Sequence, residues 1–473
     1  MMPMTLSEVA QAVGCTAEYF LNNHAKITSI STDSRPQPED KESCLFVALR
    51  GEKFDGHQYV DSALRNKAAY ALVDEKGVQE YCSEISPEHL IVCKDTEQGF
   101  LDLAGYYRNQ FQFKMVGVTG SVGKTTTKEM IAQVLSAQYE TLKTQGNFNN
   151  RVGLPKTLFQ LDNSIEAAVI EMGMNSFGEI SDLTRRARPD AAVITNIGVA
   201  HIEYLGSRAG ILKAKMEIIE GMKEGSPLIL NKDNDMLADL DCPQMKKIYY
   251  GIERSDCDVH AKDIQEEGGH TSFTIVYEGK EYPAVIPTFG RHNVLNALAA
   301  FAVGREFSMQ PETIIKALTG YKPSGMRQKV VQRNGICVVE DCYNAGPDSM
   351  KAAIRTFGSM KRPKDKPSRK ILVMGDMLEL GDYSKQAHYE AGQCAAQEDI
   401  DIIFCFGEQS IAAAQGAREA CSGRGDKEIL YFTDKEEMTK ELLSLVEEGA
   451  ILWFKASRGM KLEEVLSRLY ERF

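Results

Sequence analysis

The stretch Thr119-Gly120-Ser121-Val122-Gly123-Lys124-Thr125 constrains this chain more than any other. It follows the apolar run Met115–Val118 and opens a helical pattern from Thr125 to about Gln138. Strand, glycine turn and helix in that order are the setting of a phosphate loop. Gly120 and Gly123 let the backbone turn tightly and aim N–H groups at phosphate oxygens, and the helix N-terminus adds its positive dipole end. Lys124 is placed to reach the β- and γ-phosphates and the Thr125 hydroxyl to meet magnesium, while Thr126 belongs with the nucleotide-binding residues. The usual pattern has a glycine six residues before the lysine. Here that position is Val118, with Gly117 one further back, so the loop is a shortened TGxxGKT form. A glycine turn that merely contains Lys-Thr is the plain alternative. A GTPase would carry Asn-Lys-x-Asp, whereas Asn231-Lys232-Asp233-Asn234 ends in Asn and reads as a turn after the strand Leu228–Leu230.

A chain of 473 residues has room for about three domains of roughly 150 residues. With 43% hydrophobic and 26% charged residues it is neither disordered nor a disulfide-stapled scaffold. A net charge of −12 argues against wholesale nucleic-acid binding but leaves room for a local anion pocket. The 11 cysteines are scattered and contain no CxxC pair, which fits reduced thiols. The N-terminus MMPMTLSEVAQAVG lacks the basic start of a secretory signal. No apolar run reaches the roughly 18 residues of a membrane span. A cytoplasmic monomer is the expectation.

In the last third, apolar β-branched runs alternate with helical stretches. The runs are Ile336–Glu340, Ile371–Met374, Ile402–Phe406, Ile429–Phe432 and Ile451–Phe454, with helices such as Tyr383–Gln397 and Glu436–Glu447 between them. That interval predicts a parallel sheet with helices on both faces. In the middle third, Ala167–Ile170 and Ala191–Thr195 read as buried strands, and Thr271–Tyr277 as a small antiparallel piece. Boundaries are expected near Gln110–Lys114 and at Tyr321–Arg327.

The order of further motifs resembles the Mur ligases, which add amino acids to the UDP-linked peptidoglycan precursor. The motifs are TGSVGKTTTKE (119–129), TQGNFNN (144–150), EMGM (171–174), TNIGVAHIEYLGS (195–207), KAKMEI (213–218), RHNVLNALAA (291–300), SGMR (324–327) and DCYNAGP (341–347). STDSR (31–35), FVALRGEKFDGHQY (46–59), MGDMLELG (374–381) and KASRGMKLE (455–463) are most similar to the ligase that adds D-alanyl-D-alanine to UDP-N-acetylmuramoyl-tripeptide. The DNPR motif typical of the ligase for the third amino acid is absent from the sequence. The resemblance implies an α/β chain of three domains: 1–110 for the UDP end, 111–321 as a central P-loop mononucleotide-binding parallel sheet, and 322–473 as a Rossmann-like sheet for the incoming amine.

The implied reaction turns a carboxylate into an acyl phosphate with ATP, which the amine then attacks. Gathering so many negative oxygens requires cations and metal ions. Glu171 ends a strand, where a carboxylate points into the ligand crevice of an α/β fold. By resemblance it ligates Mg²⁺ with Thr125, and His201 ligates a second Mg²⁺. A helix N-terminal carboxylate and a structural histidine are the alternatives. On a helix from about Ser207 to Met222, Ile211, Lys215, Ile218 and Met222 share one stripe, while Lys213 faces Glu217 and Glu220. Burial lowers a lysine's pKa and yields a nucleophilic amine. The family commonly carries a carbamylated lysine at this point, a metal ligand; a snorkelling lysine is the alternative.

By resemblance Asn293 and Asn296 stand near adenine, with helix capping as the alternative. Arg327 touches the γ-phosphate, and Asp341 holds the ribose hydroxyls. Ser31, Thr32, Asp33, Ser34 and Arg35 offer hydroxyls and a cation to uridine and diphosphate, or form a capped turn. Asn147, Asn149 and Asn150 meet the sugar or its phosphates. Asp376, Glu379, Arg458 and Lys461 are loop positions that could meet the peptide or the dipeptide carboxylate. A ligase for UDP-MurNAc-dipeptide or folate, and a nucleotide-binding protein without catalysis, are the competing readings.

Overall fold

The alternation of β-branched runs and helical stretches folds as mixed α/β in the computed structural model, which describes residues 1–35, 43–51, 54–66, 68–267, 269–323, 325–362, 368–422 and 427–473. Ser324 of the SGMR motif and Glu52 and Lys53 of the first-domain motif lie outside the described residues. No described helix is long and apolar enough to cross a membrane.

The chain forms two compact units. The first comprises Met1–Gly117, Tyr139–Ala192 and Glu217–Ser226. Its N-terminal strands β1 (Met4–Thr5) and β2 (Lys26–Ile27) pair antiparallel. A parallel sheet follows in the order β3-β4-β5-β6, formed by Ser29–Ser31, Cys44–Val47, Ala68–Asp74 and Leu90–Cys93. Phe46, Val60, Ala71 and Val73 belong to its core. At the edge of that core the ring of His57 is buried between Asp55 Oδ1 at 2.6 Å and the Asp74 N–H, which donates to Nε2 at 3.2 Å. Arg50 Nη2 donates to Asp74 Oδ1 at 3.0 Å and Nε to Asp55 at 2.9 Å. Arg50, Asp55 and His57 of that motif thus join Asp74 in one polar network that is buried at His57 and Asp74 and open at Arg50.

This unit runs past residue 110 because side chains bind the later segment to the earlier one. Arg151 Nε donates to Glu97 at 2.6 Å, Arg186 Nη2 to Asp102 at 2.6 Å, and the Tyr107 hydroxyl to the Leu161 carbonyl at 2.6 Å. Strand β7 (Lys114–Thr119) runs here beside β9 (Ala167–Glu171) and then β8 (Thr141–Lys143).

The second unit comprises Val118–Gln138, Val193–Met216 and Pro227–Phe473. It contains β10 (Ala191–Ile194), β11 (Pro227–Asn231), β12 (Lys246–Gly251), β13 (Val259–Glu267), β14 (His270–Tyr277) and β15 (Lys280–Ile286) in that spatial order. Strands β13, β14 and β15 are antiparallel to one another, the inserted piece expected around Thr271–Tyr277. A further sheet has the order β16-β17-β21-β18-β19-β20. Its strands are Lys329–Arg333, Ile336–Asp341, Lys370–Gly375, Ile402–Phe406, Glu428–Phe432 and Ile451–Lys455 for β16 to β21. All but β16 run parallel, as the strand–helix interval predicts.

Neighbouring residues of these strands point to opposite faces. Val339, Leu372, Ile403 and Trp453 enter one core, and Val338, Ile371, Phe404 and Leu452 the other. Each such side chain contributes roughly 1.5–3 kcal/mol on burial. On the first face the helices Ser384–Gln397 and Ser410–Ala420 cross at glycines. A Cβ on Gly392 would lie 1.9 Å from the Ala413 carbonyl oxygen, and one on Gly416 2.2 Å from that of Tyr389. Both obstacles are backbone, which cannot swing aside. Gly392→Ala is therefore expected to destabilise the chain by about 1–3 kcal/mol, read as a lower urea midpoint with an unchanged slope; an unchanged midpoint would contradict this packing.

Candidate active site

The phosphate loop is built on the end of β7. Gly120 has φ 150° and Gly123 φ 84°, which favour glycine. Gly120 must also lack a side chain, because a Cβ there would lie 1.9 Å from Thr195 Oγ1. The loop is braced by the residues that follow β10. The Thr195 hydroxyl donates to the Val122 carbonyl at 2.6 Å. Asn196 Oδ1 accepts the N–H groups of Ser121 at 3.1 Å and Val122 at 2.9 Å. The Gly198 N–H donates to Ser121 Oγ at 2.9 Å. Lys124 Nζ donates to the carbonyls of Gly120 at 2.7 Å and Ser121 at 3.3 Å. Thr195 and Asn196 stand in the TNIG stretch but carry no role in the sequence reading; only their place after a strand pointed to them.

Beyond the loop, Thr125 is buried in the helix Lys124–Leu135. Two residues on, Thr127 Oγ1 donates to Asn296 Oδ1 at 2.9 Å, Asn296 Nδ2 to Asn293 Oδ1 at 3.0 Å, and Asn293 Nδ2 to Gln328 Oε1 at 2.6 Å. Asn293 and Asn296 lie in the helix Arg291–Glu306, as the spacing predicts. Here their amides are engaged with one another and with protein partners, and Asn293 Nδ2 also donates to the Phe289 carbonyl, just before the helix, at 2.7 Å.

Lys215 is 1% exposed. Its helix runs Arg208–Met216 and tightens to a 3₁₀ turn at Glu217–Gly221, so it is shorter than the 207–222 expected. Three members of the stripe are as expected: Ile211, Lys215 and Ile218 are buried and Lys213 is exposed, whereas Met222, beyond the turn, is only half-buried. Burial first, and then the nearby Lys124 charge, push the Lys215 ammonium well below the ordinary lysine range. His201 is half-buried, in the left-handed region at φ 63°, before the short helix Ile202–Leu205.

Arg327 and Asp341 flank the start of the last sheet. The Arg327 guanidinium lies 3.6 Å from the centre of the Tyr343 ring. Asp341 ends β17 and is paired with Lys455 Nζ of β21 at 3.0 Å. Burial pushes the Asp341 carboxyl upward, and Lys455 opposes that shift. Lys455 was missed by the sequence reading, which treated its motif as a loop.

In the first unit, Glu171 is buried at the end of β9 and accepts from Asn149 Nδ2 at 2.9 Å. The TQGNFNN and EMGM segments therefore meet. Asn150 Oδ1 instead accepts the Gly153 N–H at 2.8 Å, in the turn that precedes the helix Gly153–Leu158, and Asn147 is exposed. The STDSR segment folds back on itself. Ser31 Oγ donates to the Asp33 carbonyl at 2.9 Å, and Arg35 donates through Nε at 2.9 Å and Nη2 at 2.6 Å to the two Asp33 oxygens. That fork holds Asp33 down to about 2. Thr32 and Ser34 are half-buried beside it.

Among the loop positions of the last sheet, Asp376 is taken up structurally. Its carboxylate accepts from the Gln409 N–H at 3.2 Å, the Ser410 N–H at 2.8 Å and Ser410 Oγ at 2.6 Å, capping the helix Ser410–Ala420. Arg458 pairs with Glu463 at 3.2 Å, and Glu379 and Lys461 have left-handed backbones. Among the described residues no three His, Cys, Asp or Glu side chains are grouped to hold a metal.

Residues 118–304 match the family Mur ligase middle domain, and residues 326–458 the family Mur ligase, glutamate ligase domain. The chain is 39% identical to the UDP-N-acetylmuramoyl-tripeptide--D-alanyl-D-alanine ligase of Bacillus subtilis, covering 100% of this chain and 99% of that one. A crystal structure of MurF from Acinetobacter baumannii superposes with a TM-score of 0.89 at 30% identity over 100% of this chain and 99% of that one. MurF ligase from Thermotoga maritima in complex with ADP gives a TM-score of 0.81 at 29% identity, over 94% of this chain and 97% of that one. For the loop itself, Gly120→Ala adds a clash and backbone strain, and ATP affinity is expected to fall by more than about tenfold. Calorimetric titration on protein with an unchanged circular dichroism spectrum checks this; wild-type affinity would remove Gly120 from the site.

Proposed function

The chain belongs to the Mur ligase family, and from that premise we propose how its residues share the reaction. It is an ATP-dependent, ADP-forming ligase that joins D-alanyl-D-alanine to UDP-N-acetylmuramoyl-tripeptide in peptidoglycan synthesis. The full-length likeness to the Bacillus subtilis ligase carries the identity of the substrates. We assign residues 1–110 to the UDP end, 111–321 to ATP and 322–473 to the incoming amine. One chain carries groups for all three ligands, so the working unit is a monomer, in the cytoplasm with its nucleotide substrates.

In the first step an oxygen of the tripeptide carboxylate attacks the γ-phosphorus of ATP. The bond to the bridging oxygen breaks, giving an acyl phosphate and ADP. Lys124, the loop N–H groups and Arg327 gather the phosphate oxygens as charge shifts toward the bridge. Asn293 and Asn296 line the adenine end, and Asp341 the ribose. In the second step the dipeptide amine attacks the acyl carbon, loses a proton, and phosphate leaves. Ser31, Thr32, Asp33, Ser34 and Arg35 hold the uridine diphosphate end, and Asn147, Asn149 and Asn150 the sugar.

Mg²⁺, when bound, draws phosphate oxygens together and withdraws charge from the reacting phosphorus. Thr125, Glu171, His201 and Lys215 are the donors we assign to two such ions. Their chemistry fits on one condition. A neutral lysine is a poor partner for a hard cation, whereas its carbamate is a carboxylate. The Lys215 lone pair adds to the carbon of CO₂ and the nitrogen releases one proton, leaving an N-carboxylate. The burial of Lys215 beside the Lys124 charge, which pushes its ammonium well below the ordinary lysine range, supports this reading.

Lys215→Ala is expected to lower turnover by about a hundredfold or more, measured as phosphate release with ATP and both substrates, and small carboxylic acids should restore part of it. Stripping CO₂ from wild-type enzyme should lower activity reversibly, with bicarbonate restoring it. Full activity in Lys215→Ala would exclude the carbamate.

A further inference from the structure

Gln328 follows Arg327 in the connection between the helix Pro311–Thr319 and β16, and the chemistry above gives it no task. It is 6% exposed with φ 54°, a left-handed conformation that a residue with a side chain keeps only when its surroundings hold it. What holds it is a set of matched hydrogen bonds. Its Oε1 accepts Asn293 Nδ2 at 2.6 Å and faces Thr288 Oγ1 at 3.4 Å. Its Nε2 lies 3.0 Å from His292 Nε2. Burial first, and then the Lys455 charge, bring His292 down to about 4, so that ring is neutral and its Nε2 accepts from the amide. The Gln328 backbone N–H is among the groups that lower the Asp341 carboxyl against its burial.

A side-chain amide is the group this position requires. One end must accept from Asn293 and the other must donate to His292, and a primary amide does both. The bonds join Thr288, His292 and Asn293, which surround the start of the helix Arg291–Glu306, to the residue between Arg327 and β16. Through Asn293 and Asn296 the series reaches Thr127 on the phosphate-loop helix.

We propose that Gln328 is a positioning residue for the phosphoryl step: it registers Arg327 and Asp341, on the amine-side segment, against the phosphate-loop helix through Asn293 and Asn296. This rests on the ATP assignments above. Neighbours on both sides of Gln328 contact the nucleotide in that assignment, so losing the register weakens ATP engagement selectively and leaves the two other substrates nearly untouched. A residue that only supports the fold would affect all three.

The test compares wild type and Gln328→Met, similar in volume but without the amide, as full-length protein. Phosphate release is measured against ATP, UDP-N-acetylmuramoyl-tripeptide and D-alanyl-D-alanine in turn. Loss of two buried hydrogen bonds is expected to raise the KM for ATP about tenfold and to lower kcat. The other two KM values should stay within about twofold. A KM for ATP within about twofold of wild type overturns the proposal, as does an equal rise of all three KM values. Wild-type turnover in the same assay tests the ligase assignment separately. If Gln328→Met does not fold, Gln328→Glu decides. It keeps the volume and the acceptor for Asn293, but replaces the amide donor with a carboxylate, which His292 can meet only by changing tautomer or taking up a proton. The same ATP-selective rise supports the proposal, and an unchanged KM for ATP overturns it.

Discussion

The hydrogen bonds from Thr195 and Asn196 to the phosphate loop are the constraint on which the rest of the site depends. A loop of backbone N–H groups can surround phosphate only if something outside it fixes its curvature. The two side chains after β10 do this, one taking the Val122 carbonyl and the other the N–H groups of Ser121 and Val122. The brace works only because Gly120 has no Cβ to meet Thr195. From the helix that leaves the loop, the amides of Asn296, Asn293 and Gln328 carry the same registry to the residues before β16.

Local features of this arrangement were legible in the sequence. The strand runs of the last third are recovered within a residue at most ends, because alternation of buried faces is a property of neighbours along the chain. The burial of Lys215 followed from its stripe with Ile211 and Ile218. What was not legible depends on partners far apart in sequence. Asn196 meets residues 74 and 75 positions earlier, and no local pattern marks an amide for that use. Gln328 stands beside Arg327, which drew attention for its charge, while the amide looked like linker composition. Asp376 looked like a ligand-binding carboxylate because a loop acid and a helix-capping acid have the same sequence signature until the helix Ser410–Ala420 is placed. The shortening of the helix around Lys215 into a 3₁₀ turn also lies below the resolution of periodicity.

The buried lysines show how surroundings decide what a side chain does. Lys455 is paired with Asp341 at 3.0 Å, Lys370 with Asp399 at 3.0 Å, and Lys128 with Glu129 at 2.9 Å. Each of these burials is compensated by a carboxylate. Around Lys215 the neighbouring charge that counts is another cation, Lys124, which adds to burial instead of opposing it. The acidic total of the chain therefore says little about the site, where the placement of a few lysines relative to carboxylates separates paired ammonium groups from one that burial and a neighbouring cation disfavour.

Arg327 stacked on Tyr343 has a kinetic meaning. A guanidinium meets an aromatic ring with its flat face, while its N–H donors radiate within its own plane. Stacking therefore restricts the side chain without using up the edge that an anion needs. A long arginine free in solvent must abandon many rotamers when it grips a ligand. With the ring beneath it, much of that ordering is already done, and in the role proposed for Arg327 at the γ-phosphate the energy of contact is left for the moment when charge builds on the oxygens.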